Sequence, residues 1–253
     1  GVIPIIGPIE DSSPVLSQIV EFRQDKRIRA IILRIDSPGG GVGASQEIYR
    51  EIRKTIQTKK VITSMGGMAA SGGYYIASAG TKIVANPGTV TGSIGVIMQF
   101  YQVQELAKKI GIQMEVIKSG EFKDVGSPFR EVNEKDRELI NDFILEIQEQ
   151  FISAVARGRN LPVEKVKEIA DGRILTGAKA KDLGLVDTLG NFEDAVDLAK
   201  EVAGIKGDVD LVYPKRSSEF NLLEFFLQGT AKVVYKNIMD AFETRIEYRW
   251  NVM

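Results

Sequence analysis

Two kinds of apolar run alternate along the first half of the chain. Val2 to Gly7, Ala30 to Ile35 and Val61 to Ser64 are short and β-rich or nearly continuously apolar, the pattern of strands buried in a parallel sheet. Between them the spacing changes. Val15, Leu16, Ile19, Val20 and Phe22 follow Ser13-Pro14 on one helical face, and Ile48, Ile52 and Ile56 lie four apart in a helix over Ser45 to Ile56. Lys82 to Ala85 predicts a brief strand ended by Asn86-Pro87-Gly88, and Thr91 to Val96 opens another. Gln104 to Ile110 predicts a helix stopped by Gly111, and Met114 to Ile117 a strand. Strands alternating with helices at this spacing indicate an α/β domain with crossover connections.

The second half is mainly helical. Glu134 to Arg157 carries Leu139, Ile140, Phe143, Ile144, Ile147, Phe151 and Val155 along one face. Pro162 to Ala170, Ala178 to Leu183 and Phe192 to Ala203 add three helices, the first with proline at its start and the last stopped by Gly204. Val209 to Tyr213 reads as a strand, and Phe220 to Leu227 is apolar enough to need a partner. Ile238, Phe242, Ile246 and Trp250 form an i+4 stripe on a last helix, which packs on its own domain or on another subunit. With no internal repeat and no low-complexity linker, the reading is a domain over 1–207 and a C-terminal extension over 208–253.

The stretch from Met65 to Tyr75 (Met-Gly-Gly-Met-Ala-Ala-Ser-Gly-Gly-Tyr-Tyr) is the candidate centre. It predicts a strand, a tight glycine turn and a helix beginning near Ser71, where unpaired amides favour negative charge. An exposed hydroxyl beside amide donors suits acyl transfer. The same residues equally suit a serine N-cap with packing glycines. A second glycine-rich loop, Asp36-Ser37-Pro38-Gly39-Gly40-Gly41, also follows an apolar strand, at the end of the sheet where α/β folds collect their sites. It could give an amide to an oxyanion, with Gly72 as the second donor. It fits a phosphate loop poorly, because no Gly-Lys-Ser/Thr follows, and its spacing is wrong for a dinucleotide loop.

Composition narrows the chemistry. The 253 residues include no histidine and no cysteine. Disulfides and thiolate metal sites are excluded, a zinc site would lack its usual thiolate and imidazole ligands, and no cofactor is implied. A net charge of -1 without a dense basic run argues against a nucleic-acid surface. No segment reaches the ~18 uninterrupted apolar residues of a membrane span. The chain opens on Gly1-Val2-Ile3 without an initiator methionine, as though a targeting or anchoring segment had been trimmed. For a serine nucleophile the missing histidine is decisive. The base must be a lysine or a carboxylate, and a lysine serves when desolvation or a nearby cation lowers its pKa. Lys123, in a Gly/Ser-bearing loop before the long helix, is one candidate and equally a solvated surface charge. Ser93, between two glycines, either holds a lysine amine or closes a turn.

Taken together, Asp36 to Gly41, Met65 to Tyr75, Thr91-Gly92-Ser93-Ile94-Gly95-Val96 and Lys118-Ser119-Gly120-Glu121-Phe122-Lys123-Asp124 resemble the bacterial signal peptide peptidase A family. Asp171-Gly172-Arg173 and Ala180 to Asp187 extend the resemblance over roughly Val2 to Ala203. It implies a Clp protease/crotonase-like spiral of ββα units, with a helical extension after it. It implies Ser71 as nucleophile, Lys123 as general base, Ser93 positioning the lysine, and the amides of Gly40 and Gly72 as the oxyanion hole. Substrates would be hydrophobic peptides, above all remnant signal peptides, in an apolar groove near Met65, Met68 and Tyr74 or Tyr75. The family's short, single-unit members assemble into ring- or dome-like homo-oligomers in which a neighbour's lysine can reach the serine. They are held in the cell membrane by an amino-terminal helix, with the catalytic domain outside the cytoplasm. Rival readings are an acyl-CoA enzyme of the crotonase type, which would need a placed carboxylate, a non-catalytic assembly module, and a related membrane-bound serine protease subfamily with different Ser–Lys spacing.

Overall fold

A computed structural model describes residues 1–214 and 246–249. These fall into two compact units: Gly1–Ile97 with 146–214 and 247–249, and Met98–Leu145 with Ile246.

The first unit is α/β. Its main sheet runs β1 (Val2–Ile6), β2 (Ala30–Ser37), β4 (Lys60–Ala70), β5 (Lys82–Ala85), β9 (Thr188–Leu189), all neighbours parallel. The tip of β4 also pairs in parallel with β6 (Val90–Gly92), and β6 pairs antiparallel with β8 (Ile174–Thr176). Because the central strands are covered on both faces, their sequences are apolar almost without interruption. Val2, Ile32, Ile62 and Val84 pack with Ala195, Val196 and Ala199 of helix α8 (Phe192–Val202), while the alternate residues Ile31, Leu33 and Ile35 are also fully buried. Helices α1 (Ser13–Gln24), α2 (Val42–Thr55) and α3 (Gly72–Ala77) follow their strands as crossovers. Asn191 caps α8 in a reciprocal capping box with Asp194. The small helices α6 (Val163–Lys167) and α7 (Gly177–Asp182) complete this half.

Several expectations are corrected here. Met65 to Ala70 is not a glycine turn but the end of the eleven-residue strand β4. Its glycines serve close approach: a Cβ on Gly66 would come within 2.9 Å of the Asp36 carboxylate, whose Oδ1 accepts from the Met68 amide. Gly39–Gly41 is likewise a short strand, β3, and α2 starts on it at Val42 rather than at Ser45. Val209 to Tyr213 forms no strand, although the Val2 amide donates to the Val212 carbonyl. Ile246–Arg249 is a strand, β10, antiparallel to β3, so the helical stripe does not continue through Ile246. Phe220 to Leu227, Ile238, Phe242 and Trp250 lie outside the described residues.

The second unit contains α4 (Gln104–Lys109) and the first part of α5 (Glu134–Arg159), with β7 (Ile97–Met98) at its entry. The strand expected over Met114 to Ile117 is absent; Ile117 is 95% exposed, and nothing pairs with it among the described residues. An ion-pair cluster joins Arg130 to the buried Asp136 and to Asp124, which Lys118 also contacts at 2.7 Å.

Candidate active site

The parallel pairing of β4 with β6 aligns Ala70 with Gly92. The next residue of each strand therefore leaves the sheet side by side: Ser71 and Ser93. Both adopt left-handed backbone, φ 51° and 48°, which costs a non-glycine residue on the order of 1–3 kcal/mol and persists only where the surroundings enforce it. The Ser71 amide donates to the Gly92 carbonyl at 2.9 Å, and the Ser93 amide to the Arg173 carbonyl at 2.8 Å. Ser71 immediately precedes α3, yet its hydroxyl makes no capping bond. The capping explanation for this serine therefore fails, and its hydroxyl has no hydrogen-bond partner among the described residues; contrary to the expectation of an exposed hydroxyl, Ser71 is buried, only 1% exposed.

Gly39, Gly40 and Gly72 meet beside it. Gly39 has φ 103°, and a Cβ there would lie 2.7 Å from the Gly72 nitrogen and would overlap the Tyr248 carbonyl oxygen. The direction of the Gly40 amide follows from its neighbours. Ile9 N–H donates to the Gly39 carbonyl and Gly41 N–H donates to the Ile9 carbonyl. Across trans peptides, the N–H and C=O of Gly40 then point to the opposite edge of β3. That edge is where β10 runs, with Tyr248 opposite Gly40. The Tyr248 carbonyl oxygen is also 3.1 Å from the point where a Cβ on Gly72 would sit. An extended segment of this chain thus lies along the glycine strand with one carbonyl held against Gly40 and Gly72.

The side chain of Tyr248 is fully buried in an aromatic pocket. Its ring stacks on Tyr75 (5.1 Å between centroids, 21° between planes) and packs on Phe151 at 4.5 Å. Tyr49 closes on Tyr75 at 4.9 Å. The hydroxyl of Tyr248 donates to the Ile147 carbonyl at 3.3 Å. Burial, reinforced by Tyr49, pushes the Tyr75 phenol up to about 12, and burial followed by Tyr75 raises Tyr248 further. These phenols stay protonated near neutrality and are not bases.

Of the apolar groove expected around the serine, Tyr75 alone belongs to this pocket. Tyr74 turns inward, its hydroxyl donating to the Leu185 carbonyl at 2.9 Å, and Met65 is buried in β4 beside Thr91. Sequence reading missed Ser45. Its Oγ is buried without a hydrogen-bond partner and lies 2.7 Å from where a Cβ on Gly72 would stand. No local signal distinguishes it from any serine in the first turns of a helix. Tyr248 was hidden because Ile246 and its i+4 neighbours read as helix.

Ser71, Ser93, Gly40 and Gly72 are brought together within the first unit. Lys123 lies in the second, exposed on a turn, with its amide donating to the Gly120 carbonyl at 3.2 Å. Its neighbour Asp124 is engaged by Arg130 and Lys118, which hold that carboxyl at about 2. Lys123 itself has no ion-pair partner among the described residues.

Residues 53–206 match the model of peptidase family S49, a span that contains Ser71, Ser93 and Lys123. A Synechocystis protein provisionally named a protease is 48% identical over 73% of this chain and 67% of its own length. An Enterococcus faecium protein provisionally named signal peptide peptidase A is 40% identical over 74% of this chain and 54% of its own. The chloroplastic serine protease SPPA of Arabidopsis thaliana is 38% identical over 79% of this chain, but the match covers 30% of its length. With the strained Ser71 and the adjoining Gly72 inside the matched region, the chain belongs to peptidase family S49, the serine peptidases that include signal peptide peptidase A.

Proposed function

We propose that Ser71 and Lys123 form a catalytic dyad that hydrolyses peptide bonds in hydrophobic segments, above all remnant signal peptides. The observation that carries this reading is the seating of β10: a polypeptide strand fits the groove along Gly39–Gly41 and directs a carbonyl at Gly40 and Gly72. Strand addition of this kind supplies backbone recognition without demanding a particular sequence.

The chemistry follows from the residues available. Ser71 Oγ adds to the carbonyl carbon while a neutral Lys123 amine takes its proton. The amides of Gly40 and Gly72 hold the developing oxyanion, a contribution of about 3 kcal/mol per donor in comparable sites. Lys123 returns the proton to the departing amine, and water activated by the same lysine releases the acyl group as a carboxylate. Ser93, turned out of the sheet beside Ser71, positions the lysine amine. Burial of Lys123 by substrate or by a neighbouring subunit favours the neutral form.

The working protein in this reading is a ring- or dome-shaped homo-oligomer held at the outer side of the cell membrane by an anchor. Among the described residues no helix is long and apolar enough to cross a membrane.

The test is hydrolysis of a fluorogenic apolar peptide by the wild type, Ser71→Ala, Lys123→Ala, and the two variants co-refolded as mixed oligomers. Loss of turnover in each variant is expected. Recovery on mixing would assign serine and lysine to different subunits. Activity persisting in Lys123→Ala would overturn the assignment of the base.

A further inference from the structure

We infer that the Ser45 hydroxyl is a third donor to the oxyanion, one that engages only once Ser71 has added to the peptide carbonyl. The inference rests on the peptidase reading above and adds a catalytic residue to it.

Ser45 lies near the start of α2, on the segment that runs on from the strand carrying Gly40. It is fully buried, and its Oγ has no hydrogen-bond partner among the described residues. A helical serine or threonine has a ready partner in the carbonyl one turn earlier. Ser17 donates to the Ser13 carbonyl in this way at 2.9 Å, and Thr55 to the Glu51 carbonyl at 2.8 Å. Ser45 forgoes the corresponding Gly41 carbonyl and turns toward Gly72. A buried hydroxyl left unpaired is destabilising, and a bond made at another stage of the reaction accounts for its retention.

That stage is the tetrahedral one. The point where a Cβ on Gly72 would stand lies 2.7 Å from Ser45 Oγ, 3.1 Å from the Tyr248 carbonyl oxygen and 3.2 Å from Gly39 Cα. The hydroxyl and the carbonyl oxygen of the seated strand therefore border one small space, left open by the missing side chain at position 72. Yet the two make no hydrogen bond while the carbonyl is planar. Addition of Ser71 Oγ makes that carbon tetrahedral, lengthens the C–O bond and turns the oxygen, now negatively charged, out of the amide plane. The Ser45 hydroxyl then closes on it from behind Gly72. Ser45 donates a hydrogen bond and keeps its proton, so no covalent bond to it forms or breaks. When the C–N bond breaks, the carbonyl flattens and the contact is released. A donor that is idle in the ground state and engaged in the tetrahedral one lowers the barrier without tightening substrate binding.

The measurement is hydrolysis of the fluorogenic apolar peptide by the whole chain, wild type against Ser45→Ala, with melting temperatures taken alongside. Turnover (kcat) is expected to fall by about tenfold to a hundredfold with KM within about twofold, at or below the loss on removing a principal oxyanion donor. A peptide aldehyde, whose addition product with Ser71 places an oxyanion in the same site, should bind Ser45→Ala more weakly by a similar factor. The peptide alcohol of the same sequence forms no oxyanion and should bind both proteins equally. Should Ser45→Ala fold poorly, Ser45→Cys, close in volume and a weaker donor, carries the same comparison. Unchanged kcat and aldehyde affinity would overturn the third donor and leave the peptidase reading intact. A loss shared by aldehyde and alcohol would assign Ser45 to packing behind Gly72 and overturn it equally. No Ser71-dependent hydrolysis by the wild type would overturn both.

Discussion

Gly39 and Tyr248 approach so closely that one methyl group on the glycine would overlap the tyrosine carbonyl oxygen. Gly39 also holds φ 103°, which an alanine adopts only with strain. Gly39→Ala is therefore expected to displace β10 and to destabilise the fold by about 1–3 kcal/mol. Urea unfolding followed by tyrosine fluorescence checks both effects, and unchanged stability would mean that β3 is more pliable than its pairing implies.

Ser71 presents a sharper trade. Its φ of 51° suits glycine better than serine, so the residue sits where the backbone is least content. Ser71→Gly should raise unfolding free energy by about 1 kcal/mol while removing peptidase turnover. Ser71→Ala should remove turnover without that gain. Equal stability of the two variants would argue against stored strain at the turn.

Ser45 tests the wall behind Gly72. A buried hydroxyl without a partner forfeits its hydration, a penalty of about 1–3 kcal/mol. Ser45→Ala should be neutral or stabilising by up to about 1 kcal/mol after the loss of packing around the removed oxygen. A clear fall in melting temperature would reveal that the hydroxyl does have a partner.

The Asp124 cluster predicts a pH response in the second unit. Arg130, then Lys118, lower its carboxyl to about 2, against an ordinary value near 3.8. A depressed carboxyl stabilises the folded form fully above its unfolded value and loses that contribution as pH falls through about 4 to about 2. Wild type should lose stability over this window more steeply than Asp124→Asn, as read from thermal melts at stepped pH. Parallel curves would mean that the pairs are too solvated to matter.

The α/β architecture was legible because β2 and β4 are buried on both faces, which forces unbroken apolar runs that few other settings tolerate. Glycines misled. Those at 66 and 67 signal a turn by propensity, whereas Gly66 clears room for the Asp36 carboxylate from the neighbouring strand. Gly39 to Gly41 read as loop because three glycines have no strand propensity; pairing with Ile9 on one edge and β10 on the other overrides that. The aromatic pocket could not be read at all. Tyr49, Tyr75, Phe151 and Tyr248 come from four separate elements, and nothing local marks them as neighbours. The capping alternative for Ser71 was resolvable only in three dimensions, since a serine before a helix looks the same whether or not its hydroxyl caps.

Pairing of β3 with β10 joins segments about 200 residues apart, so closing that loop is among the most entropically demanding contacts in the first unit. During folding the parallel sheet can assemble first and leave the outer edge of the glycine strand uncovered. A newly made chain would therefore pass through a stage with an open edge strand beside its serine. At that stage any extended peptide nearby, including a neighbour's, competes with the chain's own last strand for the same row of amides.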